Sequence, residues 1–267
     1  MERLSREQFL SRKNSDTIVI YGSGYSINKI TKSQWSELQK FDSIGFNWFL
    51  KSKKPVTFYL LREQDVWRRN GQGDESRQEV FDTIEKFYNS TCLIVSNLST
   101  SAPKWAMLHH YARPIYQKKM PFTGVVLKEK FAQQSFREYK SGWPSRSKRY
   151  GALCHYFNAV DLFKDGIIYD FCSMISILHI VTFLKYKRII FAGVDLYDHR
   201  YFWLGKNELR NVTKHSKRDL DSEHFVGDFT VGLVGTYNLN FRNTELYTVN
   251  PKSLLTKHIP VWETSVE

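Results

Sequence analysis

The stretch DFCSMISILHIVTFLKYKRIIFAGVDLY, residues 170–197, predicts the fold of this chain. Its apolar residues in Met174–Thr182 recur at helical spacing, and Asp170 and Ser173 are candidate caps for the first turn of that helix. The segment Arg188–Ala192 that follows is short, apolar and rich in strand-forming residues. A helix followed directly by a buried strand is typical of a parallel α/β sheet.

Two polar side chains, Asp195 and Tyr197, follow the end of that strand. In open α/β sheets, ligands bind beyond the carboxyl ends of the strands, so we expect both residues to lie at a ligand site. The helix start near Ser173 offers backbone amides that suit a phosphate group. These features together suggest half of a nucleotide-sugar site.

The composition is that of a folded domain with a sizeable core. The chain has 267 residues, of which 42% are hydrophobic and 15% aromatic. This length accommodates one large α/β domain, which we assign to residues 1–267. The three cysteines, Cys92, Cys154 and Cys172, are far apart and form no CxxC motif. Their spacing argues against a disulfide framework or a zinc site and favours a reducing, cytoplasmic environment.

The net charge is +12 at pH 7, with 39 Lys and Arg residues against 27 Asp and Glu residues. This excess favours polyanionic partners, namely nucleic acid, anionic lipid headgroups or acidic glycans, although a generally basic protein fits equally well. Residues 1–16 are charged and carry no apolar signal core, and no apolar run is long enough to span a bilayer. We therefore expect a cytoplasmic protein.

A glycine-rich turn follows the first long β-type run, Thr17–Tyr21. The turn is Gly22-Ser23-Gly24, and a helical pattern comes after it. Glycines permit a tight turn and close approach of the backbone to a phosphate or ribose. The motif is weaker than GxGxxG because Ile27 takes the third glycine's place. A nucleotide loop and a purely structural turn both remain open on this evidence.

Two further strands are predicted at Asp42–Phe46 and Pro55–Leu61. Asn47 follows the first of them, where its amide could pair with a base or a ribose or else cap a turn. Three strands with short helical crossovers in about sixty residues are typical of a Rossmann-like fold. We predict a mostly parallel sheet with helices on both faces.

Beyond this opening, the pattern predicts more strands, three helices, the first of them through Val80, Ile84 and Phe87, and an insertion. Residues 198–226 are polar, basic and aromatic, with little periodicity, and are predicted to be a lid-like insertion. A basic loop is predicted at 141–149. The remaining predicted elements are strands at Cys92–Val95, Pro121–Lys128, Ile167–Tyr169 and Thr244–Val249, and helices at Glu129–Tyr139 and Asp228–Asn238.

Metal and nucleic-acid sites receive little support from the sequence. None of the eight histidines lies in HExxH or a comparable ligand spacing. Asp219-Leu-Asp221 formally matches DxD, but it follows KHSKR instead of an apolar strand, so solvated lid charges explain it better. The basic runs at Arg62–Arg69 and Lys206–Lys217 fit none of the usual helix-turn-helix, RNP or zinc-finger patterns. We expect neither a metal nor a nucleic-acid partner.

One histidine stands out, His224, at the end of the predicted lid. A neutral imidazole near a sugar hydroxyl can remove its proton as the oxygen attacks. Tyr197 and Tyr201 could donate hydrogen bonds to a departing phosphate. The local sequence by itself favours an exposed lid histidine and two core aromatic residues.

Five short motifs in a consistent order resemble those of the bacterial sialyltransferases of glycosyltransferase family 42, which act in lipooligosaccharide synthesis. The family's motifs are a GNGPSL turn, an Asn motif after the second strand, an SG-helix–strand–GIDFY block, an SHYIG segment and a PNSLL ending. The matching segments here are, in that order, Gly22–Ile27, Phe46–Phe49, Ser173–Tyr197, Ser222–Gly227 and Asn250–Leu255.

The resemblance implies a Rossmann-like transferase that uses a CMP-activated acidic sugar and neither a metal nor another cofactor. It implies that His224 is the catalytic base and that Tyr197 and Tyr201 bind the leaving phosphate. It further implies donor contacts from residues that match the family's cytidine and ribose motifs. With the neighbours predicted above, the candidate donor-binding residues are Gly22, Ser23, Gly24, Asn47, Ser173 and Asp195.

The chain departs from the family pattern at four positions. Ser23 and Leu60 stand where the family has asparagines, Asp170 stands in place of an arginine, and Met174 replaces a glycine. A serine hydroxyl can still form a hydrogen bond, whereas a leucine cannot replace an amide. These differences leave sialic acid, Kdo and other 3-deoxy-ulosonates as candidate donor sugars.

The sequence thus predicts an inverting glycosyltransferase that moves an acidic 3-deoxy-ulosonate from a CMP-sugar to the hydroxyl of a glycan or glycolipid. Its basic surface would meet an anionic membrane face, which suggests peripheral association with the inner membrane. The alternatives are a Rossmann-like pyrophosphokinase or motility-accessory-type protein, and a non-catalytic basic module that binds nucleic acid or lipid. The acceptor, the linkage and the oligomeric state are left open.

Overall fold

The computed structural model describes residues 2–61, 80, 82–97, 123–131, 146–169, 172–197, 201–203 and 217–263. For 217–226, which belong to the predicted lid, it describes the backbone course. The basic run at Arg62–Arg69 and most of the run at Lys206–Lys217 lie outside the described residues.

Nine strands of the described chain pair in one sheet, and every pair is parallel. Their spatial order is β1-β6-β5-β4-β3-β2-β8-β9, and β7 pairs with the distal part of β6. The bounds are β1 Glu2–Arg3, β2 Thr17–Tyr21, β3 Asp42–Phe46, β4 Phe58–Leu61, β5 Cys92–Asn97, β6 Thr123–Phe131, β7 Ile167–Tyr169, β8 Arg188–Ala192 and β9 Glu245–Thr248.

The helices lie on both faces of this sheet. Along β2, Ile18 and Ile20 join one hydrophobic core while Val19 and Tyr21 join the other, because successive side chains point to opposite faces. The helices are α1 Arg6–Leu10, α2 Lys32–Leu38, α3 Arg146–Ala159, α4 Ser173–Phe183 and α5 Lys217–Asn240, with helical residues also at 80 and 82–87 and 3₁₀ turns at Tyr25–Lys29, Asn47–Ser52 and Leu254–Lys257. The predicted Rossmann-like α/β fold is confirmed.

The central strands read as continuous apolar runs because both of their faces are covered. All five residues of β2 are buried, as are the last four of β8. The two strands lie side by side in register from Thr17 opposite Arg188 to Tyr21 opposite Ala192. Double-sided burial is the general reason why parallel strands lack an alternating polar pattern.

Several predicted boundaries are wrong. Residues 129–131 extend β6 instead of opening a helix, because they pair with Ile167–Tyr169. Residues 146–149, predicted as loop, form the first turn of α3. The helix predicted at Asp228–Asn238 exists, but it begins eleven residues earlier, at Lys217. The last ten residues of the predicted lid are therefore helical.

The predicted capping of α4 is also wrong for Ser173. The N-cap residue is Cys172, which makes no side-chain capping bond, and the Ser173 hydroxyl instead donates to the side-chain oxygen of Asn47 at 3.1 Å. Asp170 lies outside the described residues.

The strand order reverses beside β2. The chain passes from β2 to β3 and onward to β6 on one side, whereas β8 and β9 lie on the other side. The carboxyl ends of β2 and β8 therefore border a topological switch point, which is where open α/β sheets bind their ligands.

Candidate functional site

The glycine turn after β2 packs directly against the loop after β8. The amide of Gly22 donates to the carbonyl of Ala192, and the amide of Gly24 donates to that of Gly193, both at 2.8 Å. A Cβ on Gly22 would lie 2.5 Å from the Gly193 carbonyl oxygen. The close approach of these two backbones is thus one reason for the glycines, apart from any ligand.

Asp195 is buried beneath this turn, with 3% of its surface exposed. Its Oδ2 accepts the backbone N–H of Ser26 at 2.9 Å. Its Oδ1 accepts the Ser26 hydroxyl and the side-chain amide of Asn250, the latter at 2.8 Å. The carboxylate joins the loops that follow β2, β8 and β9. Asp195 was predicted to bind the CMP-sugar. In the structure, its carboxylate oxygens accept hydrogen bonds from Ser26 and Asn250.

Tyr197 lies two residues further along the same loop and is 38% exposed. Its hydroxyl oxygen accepts the side-chain amide of Asn250 at 3.3 Å. Asn250 itself was not predicted as a site residue. It begins the segment Asn250–Leu255 that resembles the PNSLL ending, and it lies two residues after β9, at the same sheet edge as the other candidates.

Three predicted donor-binding residues come together where β2, β3 and α4 meet. The Ser23 hydroxyl accepts the backbone N–H of Trp48 at 3.1 Å. The side-chain oxygen of Asn47 accepts the hydroxyl of Ser173, as described above. The Asn47 carbonyl accepts the hydroxyl of Tyr59, and burial raises the pKa of that phenol well above its ordinary value. The structure therefore gathers side chains from positions 23, 47 and 173.

Tyr201 lies over the glycine turn. It forms an antiparallel bridge with Gly24, and the backbone N–H of Phe202 donates to the Ser23 carbonyl at 3.2 Å. The segment 201–203 is thus held to the switch point by backbone hydrogen bonds, which brings Tyr201 and Tyr197 to the same end of the sheet.

Aromatic side chains strengthen the attachment of this segment. The Tyr201 and Trp203 rings stack with centroids 4.5 Å apart, and the Trp203 and Trp48 rings are 5.7 Å apart. The Lys51 ammonium lies 5.2 Å from the Trp48 ring centroid and 5.9 Å from that of Trp203. Such cation–π contacts add attraction to the ring packing and place a positive charge beside the loop after β3.

The helix α5 passes beside the loop after β8. A Cβ on Gly227 would lie 3.2 Å from the Leu196 carbonyl oxygen, so the two backbones are close there. Leu196 has a positive φ of 64° and lies between Asp195 and Tyr197. His224 precedes Gly227 by three residues in α5, about one helical turn, and its side chain lies outside the described part.

Other predicted features bear less directly on the site. Leu60, which stands where the resemblance expects an asparagine, is buried in the core. Burial raises the pKa of both the Cys92 and the Cys154 thiol to about 12, so both stay protonated and are poor nucleophiles. Among the described residues, no cluster of three His, Cys, Asp or Glu side chains could hold a metal ion. No helix in the described ranges is long and apolar enough to cross a membrane.

Asn47 has a left-handed backbone, with φ of 51°, and two substitutions test this conformation. We expect Asn47→Ala to be less stable than Asn47→Gly by about 1–2 kcal/mol, because only glycine adopts this conformation without steric cost. Urea unfolding of the two variants measures the difference. The order should reverse at the exposed residue His155 inside α3, where glycine costs about 1 kcal/mol relative to alanine. If the alanine variant were the less stable of the two at both positions, the left-handed conformation of Asn47 would be contradicted.

The parallel sheet and the polar residues at its switch point define a Rossmann-like α/β protein with a candidate ligand site at the β2–β8 edge. Comparison with protein-family models gives no match, and comparison with curated proteins gives none. Among solved structures, the chain is similar to the crystal structure of the monofunctional alpha-2,3-sialyltransferase Cst-I from Campylobacter jejuni, with a TM-score of 0.47 and 14% sequence identity. The match covers 98% of this chain and 82% of that one.

Proposed function

We propose that this chain is an inverting glycosyltransferase that moves an acidic 3-deoxy-ulosonate, sialic acid or a similar sugar, from a CMP-sugar to the hydroxyl of a glycan or glycolipid. The observation that carries the proposal is the gathering of Ser23, Asn47, Ser173, Tyr197 and Tyr201 at one switch point. These residues come from distant parts of the chain, and all of them were predicted from the sequence to contact the same nucleotide-sugar.

In the proposed complex, the nucleoside contacts Gly24, Asn47 and Ser173. The amide of Asn47 and the hydroxyl of Ser173 supply both donors and acceptors, as recognition of a base edge and a ribose requires. The phosphate lies near the first turn of α4, whose backbone amides carry the positive end of the helix dipole. The net charge of +12 favours an anionic donor and an anionic acceptor surface.

The phenols of Tyr197 and Tyr201 are proposed to donate hydrogen bonds to the phosphate as it departs. Tyr197 is exposed enough to contact a ligand, and its hydroxyl oxygen accepts a hydrogen bond from the Asn250 amide. Donors placed where negative charge develops stabilise the transition state more than the bound substrate. In this scheme no metal is needed to neutralise the leaving group.

His224 is proposed as the general base. The acceptor oxygen forms a bond to the anomeric carbon while the bond from that carbon to the phosphate oxygen breaks. CMP leaves with the electron pair, and the acceptor proton passes to the neutral imidazole. Attack from the face opposite to the leaving group inverts the configuration. The lid, residues 198–226, would exclude water that would otherwise hydrolyse the donor.

One assay tests this proposal directly. The protein is incubated with CMP-Neu5Ac or CMP-Kdo in the presence of EDTA, and CMP release is measured with and without a lactose-type or lipooligosaccharide acceptor. We expect release that the acceptor accelerates and that EDTA does not abolish. Strict magnesium dependence would favour a pyrophosphokinase-like enzyme instead, and binding of nucleic acid or anionic lipid without any CMP release would favour a non-catalytic module.

A further inference from the structure

Asn250 holds a fixed orientation between two candidate functional residues. It is 7% exposed, and its Oδ1 accepts the backbone N–H of Lys252 at 3.0 Å. Because a backbone N–H can only donate, this bond identifies the oxygen end of the amide. The nitrogen end therefore faces Asp195 and Tyr197.

The two hydrogens of the Asn250 amide have two acceptors. Nδ2 lies 2.8 Å from Oδ1 of Asp195 and 3.3 Å from the hydroxyl oxygen of Tyr197. An ionised carboxylate only accepts, so it keeps the amide in this orientation. The carboxylate is itself fixed by the backbone and the hydroxyl of Ser26.

This arrangement decides what the Tyr197 hydroxyl can do. Its oxygen receives a hydrogen bond from Asn250, so its own hydrogen is directed to a different acceptor. A hydroxyl that accepts one hydrogen bond also becomes a better donor, since hydrogen bonds in a chain polarise one another. Tyr197 is 38% exposed, so a ligand can reach it.

We propose that Asn250 is a positioning residue that holds the Tyr197 hydroxyl as a hydrogen-bond donor to the departing phosphate of the CMP-sugar. This role rests on the proposed function, and it gives a role to a residue that was not among the predicted site residues. Asp195 accepts the Asn250 amide and is itself fixed by Ser26, so it stabilises the same array.

A double-mutant cycle with Asn250→Ala and Tyr197→Phe tests the role. Tyr197→Phe should lower kcat about 100-fold, the scale for losing one donor to developing charge. Asn250→Ala should lower kcat about tenfold, the scale for losing one hydrogen bond. KM for the donor should change less than kcat in both cases, because the bond to the phosphate strengthens as charge develops. In the Tyr197→Phe background, Asn250→Ala should change kcat less than twofold.

The matched control is Asn238→Ala in α5, which removes an amide that donates to the carbonyl of His258 outside the site. Its kcat should equal that of the wild type. If Asn250→Ala lowers kcat equally in the presence and absence of the Tyr197 hydroxyl, the positioning role is wrong.

A second measurement does not depend on activity or on the folding of an Asn250 variant. In ¹H–¹⁵N spectra, the side-chain amide signal of Asn250 should shift in Tyr197→Phe, whereas that of Asn238 should not. An unchanged Asn250 signal would overturn the inference. A shifted signal in a protein that releases CMP from no CMP-sugar would support the contact and reject the proposed function alone.

Discussion

Replacing His224 by alanine is expected to slow sugar transfer by about 10²- to 10⁴-fold, the range that general-base catalysis contributes. The acceptor hydroxyl would then have no neutral imidazole to take its proton as the new bond forms. The position of His224 one turn before Gly227, where α5 meets the loop that carries Tyr197, supports this choice. The measurement is CMP release in the presence of the acceptor.

The matched control is His155→Ala, since His155 is exposed on α3. That variant should keep the wild-type rate. Added imidazole should partly restore the activity of His224→Ala, because a small base can enter the space that the side chain vacates. Full activity of a folded His224→Ala protein would refute the base assignment.

Replacing Gly24 by alanine is expected to destabilise the protein by about 1–3 kcal/mol, the usual cost of an extra methyl group in a filled space. The new Cβ would lie 2.5 Å from Oδ2 of Asp195 and 2.8 Å from the carbonyl oxygen of Gly193. The backbone of Gly24 has φ of −69°, which alanine adopts without strain, so the effect comes from space alone. Because Ser26 fixes the Asp195 carboxylate, relief would require the three loops to separate.

Gly151→Ala is the control for this substitution. A Cβ at Gly151 meets nothing within 4 Å, and the residue lies inside α3. Alanine there should stabilise the protein by about 1 kcal/mol, because glycine is a poor helix former. Urea unfolding should show opposite signs for the two variants. A Gly24→Ala protein as stable as the wild type would contradict the packing of the glycine turn on Asp195.

The strands of the central sheet were predicted well because their signal is local. In β2 and β8, double-sided burial leaves an uninterrupted apolar run, and a glycine directly after each strand marks its end. The start of α5 had no such signal. Residues 217–224 are mainly charged and polar, so no apolar stripe indicates a helix there. The predicted helix therefore began only at Asp228.

The contacts of Asp195 also could not be predicted from local sequence patterns. Its position after β8 predicted a ligand contact, but no local pattern indicated that Ser26 and Asn250, 169 and 55 residues away, would donate to its oxygens. Ser173 likewise looked like a cap, but its hydroxyl donates to the side chain of Asn47, 126 residues away. Such contacts depend on strand order, which local patterns do not encode.

The amino-acid sequence by itself determined where the strands end and which polar residues follow them, because burial and turn formation act on neighbouring residues. Only the tertiary structure decided which of those residues meet. The placement of β8 beside β2 brings Asp195 beneath the glycine turn, and the placement of β9 beside β8 brings Asn250 to Tyr197. The physical reason is that hydrogen bonds between loops are set by the packing of whole strands and helices, and that packing is a property of the complete chain.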